Sequence, residues 1–213
     1  MNFIRNRNFR AGPQTSLEGF ICPQNSDKQQ KIKVFGRSGG GKFSYLKNPI
    51  LRFLLFFRIT QYLKRNKYNP IYIFSWLCYR HLKIKYGFEL EQNCNVGYGL
   101  LIVHLGGIKI NEKAVIGNNC TLFSGCVIGS IRDGKRKGSP VLGDDVYVGV
   151  NAAIVGGINI GNDVVIAPNS FVNVDVPSHS VVFGNPAQIV YKANAAKYYT
   201  YNKVNLNDET TNI

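Results

Sequence analysis

No CxxC pair occurs in this chain of 213 residues, its five cysteines are an odd number, and its three histidines are scattered. These scarcities argue against a disulfide framework, a cysteine-rich zinc site and a histidine-cluster metal centre. Unpaired cysteines fit a reducing, cytoplasmic setting. The first twenty residues lack an apolar core behind their arginines, so no signal peptide is expected. No apolar run reaches the roughly 20 residues that span a bilayer. Acids are scarce on one side only. Residues 1–85 hold 17 of the 26 Lys and Arg but just two acids, Glu18 and Asp27, so a basic front precedes a nearly neutral back. Such a front suits nucleic acid, an anionic membrane face or an anionic polymer. Nucleic acid ranks last, because the basic region carries no recognised reading motif.

Residues 1–43, rich in Asn, Gln, Lys and Gly, read as a flexible basic arm. Within it GRSGGGKFS (36–44) imitates a phosphate-binding loop. Phe43 stands where Ser or Thr must hold magnesium, however, and no apolar strand precedes the run, so it reads as a linker. A helical segment is expected over 44–87. Its halves open on Asn48-Pro49 and Asn69-Pro70, an N-cap followed by a first helical proline, and Gly87 closes the second. Residues 44–86 carry nine basic side chains and no acid. Two readings stay open. The pair lies peripherally on an anionic membrane, Phe and Trp76 inward, or it packs on the rest of the protein or on another copy.

From residue 90 the pattern changes. Aliphatics recur every six positions at Leu90, Val96, Ile102 and Ile108, then after a two-residue shift at Ile110, Ile116, Leu122 and Ile128. The series resumes at Leu142, Val148, Ile154, Ile160, Ile166 and Val172. Small or β-branched residues follow four places on, at Ala114, Cys120, Cys126, Val146, Ala152, Val164 and Ser170, and a glycine often follows directly, as at Gly97, Gly117 and Gly143. This is neither a helix period nor strand alternation. It predicts a mainly β chain coiled as a parallel β-helix, aliphatics plugging the interior and glycines turning the corners. Cys120 and Cys126 are expected to be inert packing residues.

The order GYGLLIVHLGGIKINEKAVIG, the break at SIRDGKRKGSP (130–140) and the close on Gly184-Asn185-Pro186-Ala187 resemble the hexapeptide-repeat acyltransferases over about residues 86–192. Within them the chain is similar to the serine acetyltransferase group, and to bacterial enzymes that O-acetylate cell-surface polysaccharide. The resemblance implies a left-handed β-helix over 88–192, a C-terminal tail over 193–213 and a homotrimer. It further implies transfer of acetyl from acetyl-CoA to an acceptor hydroxyl, with no metal.

It also places the catalytic histidine on His104, set in the apolar stretch LLIVHLGGI, where an imidazole without partners would be costly to bury. An alcohol attacks poorly until its proton is removed, and an imidazole suits that task near neutral pH. By resemblance Glu89, fifteen residues earlier, is the carboxylate that orients the ring; an exposed acid on the first coil is the other reading. For acetyl-CoA the resemblance points to Ser130, Gly149, Val150, Ala167 and Pro168, with Lys192 on a phosphate. Lys135, Arg136 and Lys137 suit either CoA phosphates and an anionic glycan or a solvated loop.

Three departures bear on the acceptor. The serine enzymes carry an aspartate where Val103 stands and an Arg-His pair where Gly138-Ser139 stand, and those charged groups would grip serine. Their loss favours a sugar hydroxyl of a cell-surface polysaccharide as acceptor. Serine remains the alternative, and a non-catalytic β-helix binding a polyanion or membrane is the third reading.

Overall fold

The computed structural model describes residues 48–64 and 69–200. The arm over 1–43, with its glycine-rich run, lies outside the described residues. Helix α1 (Pro49–Leu63) starts where the Asn48 side chain accepts from the amides of Ile50 and Leu51, at 3.0 and 3.3 Å. Asn69 repeats the device for α2 (Pro70–Tyr86), and Gly87 ends that helix with a φ of 65°. Residue 87 therefore turns in the left-handed region that glycine enters without cost. Phe53 and Phe57 of α1 are fully buried against Tyr79, and Phe53 also meets Phe88. Those two rings are consumed by the core and point away from any membrane, which corrects that part of the expectation.

Beyond Gly87 the chain coils through three flat faces. The first face stacks β1 (Glu89–Leu90), β4 (Lys109–Ile110), β7 (Val127–Gly129), β10 (Ala153–Val155) and β13 (Phe171–Val172). The second stacks β2 (Asn95–Val96), β5 (Val115–Ile116), β8 (Val141–Leu142) and β11 (Asn159–Ile160). The third stacks β3 (Leu101–Ile102), β6 (Thr121–Leu122), β9 (Val146–Val148), β12 (Val164–Ile166) and β14 (Ser180–Phe183). All these pairings are parallel; β15 (Gln188–Tyr191) closes the third face antiparallel to β14.

Every aliphatic of the six-residue series is 4% exposed or less, and the small residues four places on are buried beside them. Burial pushes the thiols of Cys94, Cys120 and Cys126 up to about 12. They are packing groups, not nucleophiles.

The glycines have a different cause from the one expected. Gly117, Gly143, Gly149 and Gly161 are not in the left-handed region, so they do not turn the corners. A Cβ on Gly117 would lie 2.3 Å from the Gly143 carbonyl oxygen, and one on Gly161 would lie 2.4 Å from the Ser178 amide nitrogen. These glycines let one coil sit directly on the next. The left-handed corner residues are other glycines, such as Gly99 and Gly125, together with Asn119, Asp145, Asn151, Asp163 and Asn169.

A solenoid end exposes unpaired backbone that must find partners. Here the helices supply them. Arg58, buried, donates to the carbonyls of Val96 and Gly97 at 2.8 and 2.6 Å; Gln61 donates to Cys94 at 2.9 Å, and the Tyr79 hydroxyl to Leu90. At the other end the Asp163 carboxylate accepts from the amides of Ala195 and Ala196 (3.1 and 2.8 Å) and lies 2.7 Å from His179 Nδ1. This holds the 3-10 turn Ala195–Tyr198 on the coils. The segment expected as a tail from residue 193 therefore begins packed.

Candidate active site

Coil length is not uniform, and the irregularities mark the site. Glu89 pairs with Lys109, twenty residues on; Lys109 pairs with Val127 after eighteen; Val127 pairs with Ala153 after twenty-six. Eighteen residues suffice for a coil of three hexads. The first coil thus carries two extra residues, and they fall at the corner between β3 and β4, which contains His104. The third carries eight extra, in the break at 130–140.

At the first of these corners His104 is exposed, and Leu105 beside it is 44% exposed. The imidazole is not a core histidine. Its ring meets the edge of Phe123 with centroids 5.8 Å apart. Gly106 and Gly107 turn left-handed at φ of 93° and 70°, and the Gly107 amide donates to the Gly87 carbonyl at 3.0 Å. A Cβ on Gly107 would lie 3.2 Å from Gly125 Cα. Bare backbone of Gly87, Gly106, Gly107 and Gly125 therefore meets at the corner that carries His104.

The same edge, where the third face turns into the first, continues down the stack. Gly125 donates to Gly106, Asn151 to Ser124 and Asn169 to Val150, at 3.4, 3.1 and 2.9 Å. Gly149, Val150, Ala167 and Pro168 lie on this edge, below His104. Ser130 and Lys192 do not. Ser130 opens the break at the corner from first to second face, where its Oγ accepts from Asn111 Nδ2 at 3.2 Å. Lys192 follows β15, its amide donating to the His179 carbonyl at 2.8 Å, near the corner from second to third face. One chain sets four of the six positions expected for acetyl-CoA on the edge below the histidine and leaves two on the other edges.

Glu89 opens β1. Its side chain is 63% exposed and its nearest charge is Lys109 Nζ at 3.6 Å. Among the described residues no bond joins Glu89 to His104.

The break folds as a hairpin. Ile131 and Gly138 exchange backbone hydrogen bonds at 2.9 Å, and the Arg136 carbonyl accepts from Gly157 at 2.9 Å. Ser139 Oγ donates to Asn111 Oδ1 at 3.0 Å. A hollow of about 350 Å³ beside it is lined by Asn111, Glu112, Lys113, Ser130, Ile131, Arg132 and Lys137. Three cations against one acid make it suited to an anionic group. Lys137 lines this hollow, whereas Lys135, exposed, and Arg136, half-buried, do not.

Sequence reasoning missed the aromatic row that runs from the histidine. Phe123 lies 5.1 Å from Tyr147, and Tyr147 lies 5.0 Å from Tyr199. Counting twenty residues from Val103 along the register leads to Phe123, so the signal was present in the spacing. Among the described residues no group of His, Cys, Asp and Glu is placed to hold a metal ion, and no helix is long and apolar enough to cross a membrane.

No protein-family model matches the sequence. A serine acetyltransferase of Helicobacter pylori is 31% identical over 144 residues, covering 68% of this chain and 82% of that protein. Other curated serine acetyltransferases reach 35–38% identity over 107 residues, though the chain spans only 32–44% of their length. Among solved structures, Neisseria gonorrhoeae serine acetyltransferase in complex with serine has a TM-score of 0.67 at 26% identity, covering 80% of this chain and 69% of that one. A serine acetyltransferase in complex with CoA has a TM-score of 0.68 at 23% identity, covering 82% and 71%. The latter likeness concerns the fold.

Proposed function

Because this chain belongs to the serine acetyltransferase family, of hexapeptide-repeat β-helix acyltransferases, we propose that it transfers acetyl from acetyl-CoA to the hydroxyl of serine. The observation that carries the reading is the match to the Helicobacter pylori enzyme across most of both chains. The acceptor ranking drawn from the sequence is thereby reversed: the relatives are serine acetyltransferases, and none of those cited acts by name on a polysaccharide.

His104 acts as general base. Its ring takes the acceptor hydroxyl proton as the oxygen attacks the thioester carbon. The tetrahedral intermediate then expels the CoA thiolate, and the imidazolium returns the proton to that sulfur. General-base assistance of this kind contributes roughly 10²–10⁴-fold. Glu89 serves as the orienting carboxylate once it leaves Lys109. That exchange is cheap, since an exposed ion pair is worth about 1 kcal/mol or less. Acetyl-CoA lies along the edge formed by Gly149, Val150, Ala167 and Pro168. Ser130 and Lys192 join it only from a neighbouring chain, so the working form is a homotrimer in which one chain's edge faces another's.

A sugar hydroxyl is the second reading. It is favoured by Val103, Gly138 and Ser139, which supply no charge to a small zwitterion, and by the ring faces of Phe123 and Tyr147, which suit a saccharide. A CoA-release assay with serine and a panel of sugars separates the two. Release with serine at millimolar concentration supports the first reading. Release with a sugar and none with serine overturns it.

A further inference from the structure

Helix α2 has two apolar sides, and only one is covered. Tyr72, Ser75, Tyr79 and Leu82 face α1 and the first coil and are buried. On the opposite side Ile73, Phe74, Leu77 and Ile84 are 47, 64, 53 and 72% exposed. At 100° per residue these four fall within one stripe. Arg80 and Lys85 flank the stripe on either side, both exposed, and His81 lies within it. The Arg80 guanidinium rests 5.5 Å from the Trp76 ring, which leaves its charge at the stripe's border. Residues 44–86 contain no acid, so nothing on these helices neutralises that border.

We propose that this outer face of α2 lies in the headgroup layer of an anionic membrane, the aliphatics entering the interface and Arg80 and Lys85 meeting lipid phosphates. The charge distribution selects this occupant. A second copy docked by the same face would set like charges against each other across a two-fold axis. Lipid phosphates supply the missing negative charge. The helix is too short to span a bilayer and is suited to lying in its plane. The half of the helical pair that reaches lipid is thus α2 alone, since the Phe53 and Phe57 rings of α1 are buried.

The test is co-sedimentation of the full chain with phosphatidylcholine vesicles containing about 30% phosphatidylglycerol, and with phosphatidylcholine alone, at low and high salt. Binding is expected to the anionic vesicles at low salt only. Leu77→Gln with Ile84→Gln lowers it by at least about tenfold, and Arg80→Gln with Lys85→Gln reproduces the effect of salt. All four residues are exposed, Arg80 touching only the Trp76 ring and Lys85 only the Tyr86 ring beyond the stripe, so circular dichroism should be unchanged. Absence of binding by the unaltered chain at low salt overturns the proposal. So does equal binding by the Leu77/Ile84 variant, which would assign attachment to other residues. A smaller molar mass for that variant by light scattering would assign the face to contact between copies. None of these outcomes bears on acetyl transfer to a soluble acceptor, which is read in the CoA-release assay.

Discussion

His104 occupies a corner lengthened by two residues, and an exposed ring there contributes little to the fold. His104→Ala should therefore lower the acetyl-transfer rate by at least about a hundredfold while thermal unfolding and the KM for acetyl-CoA stay near their original values. Steady-state kinetics and a melting curve check both halves. Gly117 is the opposite kind of residue, silent in chemistry and critical in stacking. With its Cβ 2.3 Å from the Gly143 carbonyl, Gly117→Ala forces backbone apart and should cost about 2 kcal/mol. Gly129 is the control: its Cβ would meet nothing closer than 3.5 Å, and Gly129→Ala should change stability by no more than about 1 kcal/mol. Denaturant titration of the two variants separates close stacking from mere backbone freedom. The thiols give a third residue-level check. With Cys94, Cys120 and Cys126 pushed up to about 12, little thiolate exists at pH 8, and a disulfide reagent should label Cys78 first among the described cysteines.

Helix α1 matters to the solenoid as a lid on its first coil. Arg58→Ala strips two carbonyls of a charged donor, a change worth about 2–3 kcal/mol. Hydrogen exchange should speed up in α1 and the first coil and change little in β10 to β12, the fourth coil; uniform acceleration would mean the lid and coils unfold together. The coil interior was legible in advance because the plug positions depend only on a six-residue period, and each of those aliphatics is buried. The helix starts at Asn48 and Asn69 were legible for a similarly local reason. Position around the coil was not. Which edge holds Ser130 or Lys192 depends on carrying the register through coils of twenty and twenty-six residues, and a likeness in linear order does not perform that count. The glycines were misjudged because close approach of the next coil, 17 or more residues away, leaves no local mark. The carboxylate role of Glu89 rested on the resemblance, and in the single chain the charge beside it is Lys109.

At the scale of the whole molecule, the proposed acetyl-CoA site is one that a single chain does not complete. Three chains of equal standing, each lending Ser130 and Lys192 from its other edges to its neighbours, would complete it, and light scattering should give the mass of a trimer or a multiple of it. A monomer with full activity would place acetyl-CoA without those two residues. The measurement that bears most directly on the account is CoA release by the full chain with acetyl-CoA and serine, run in parallel with His104→Ala. Serine-dependent release that falls by at least about a hundredfold in the variant is expected. Serine-dependent release that survives the loss of His104 undiminished, or no release with any hydroxyl acceptor, would contradict it.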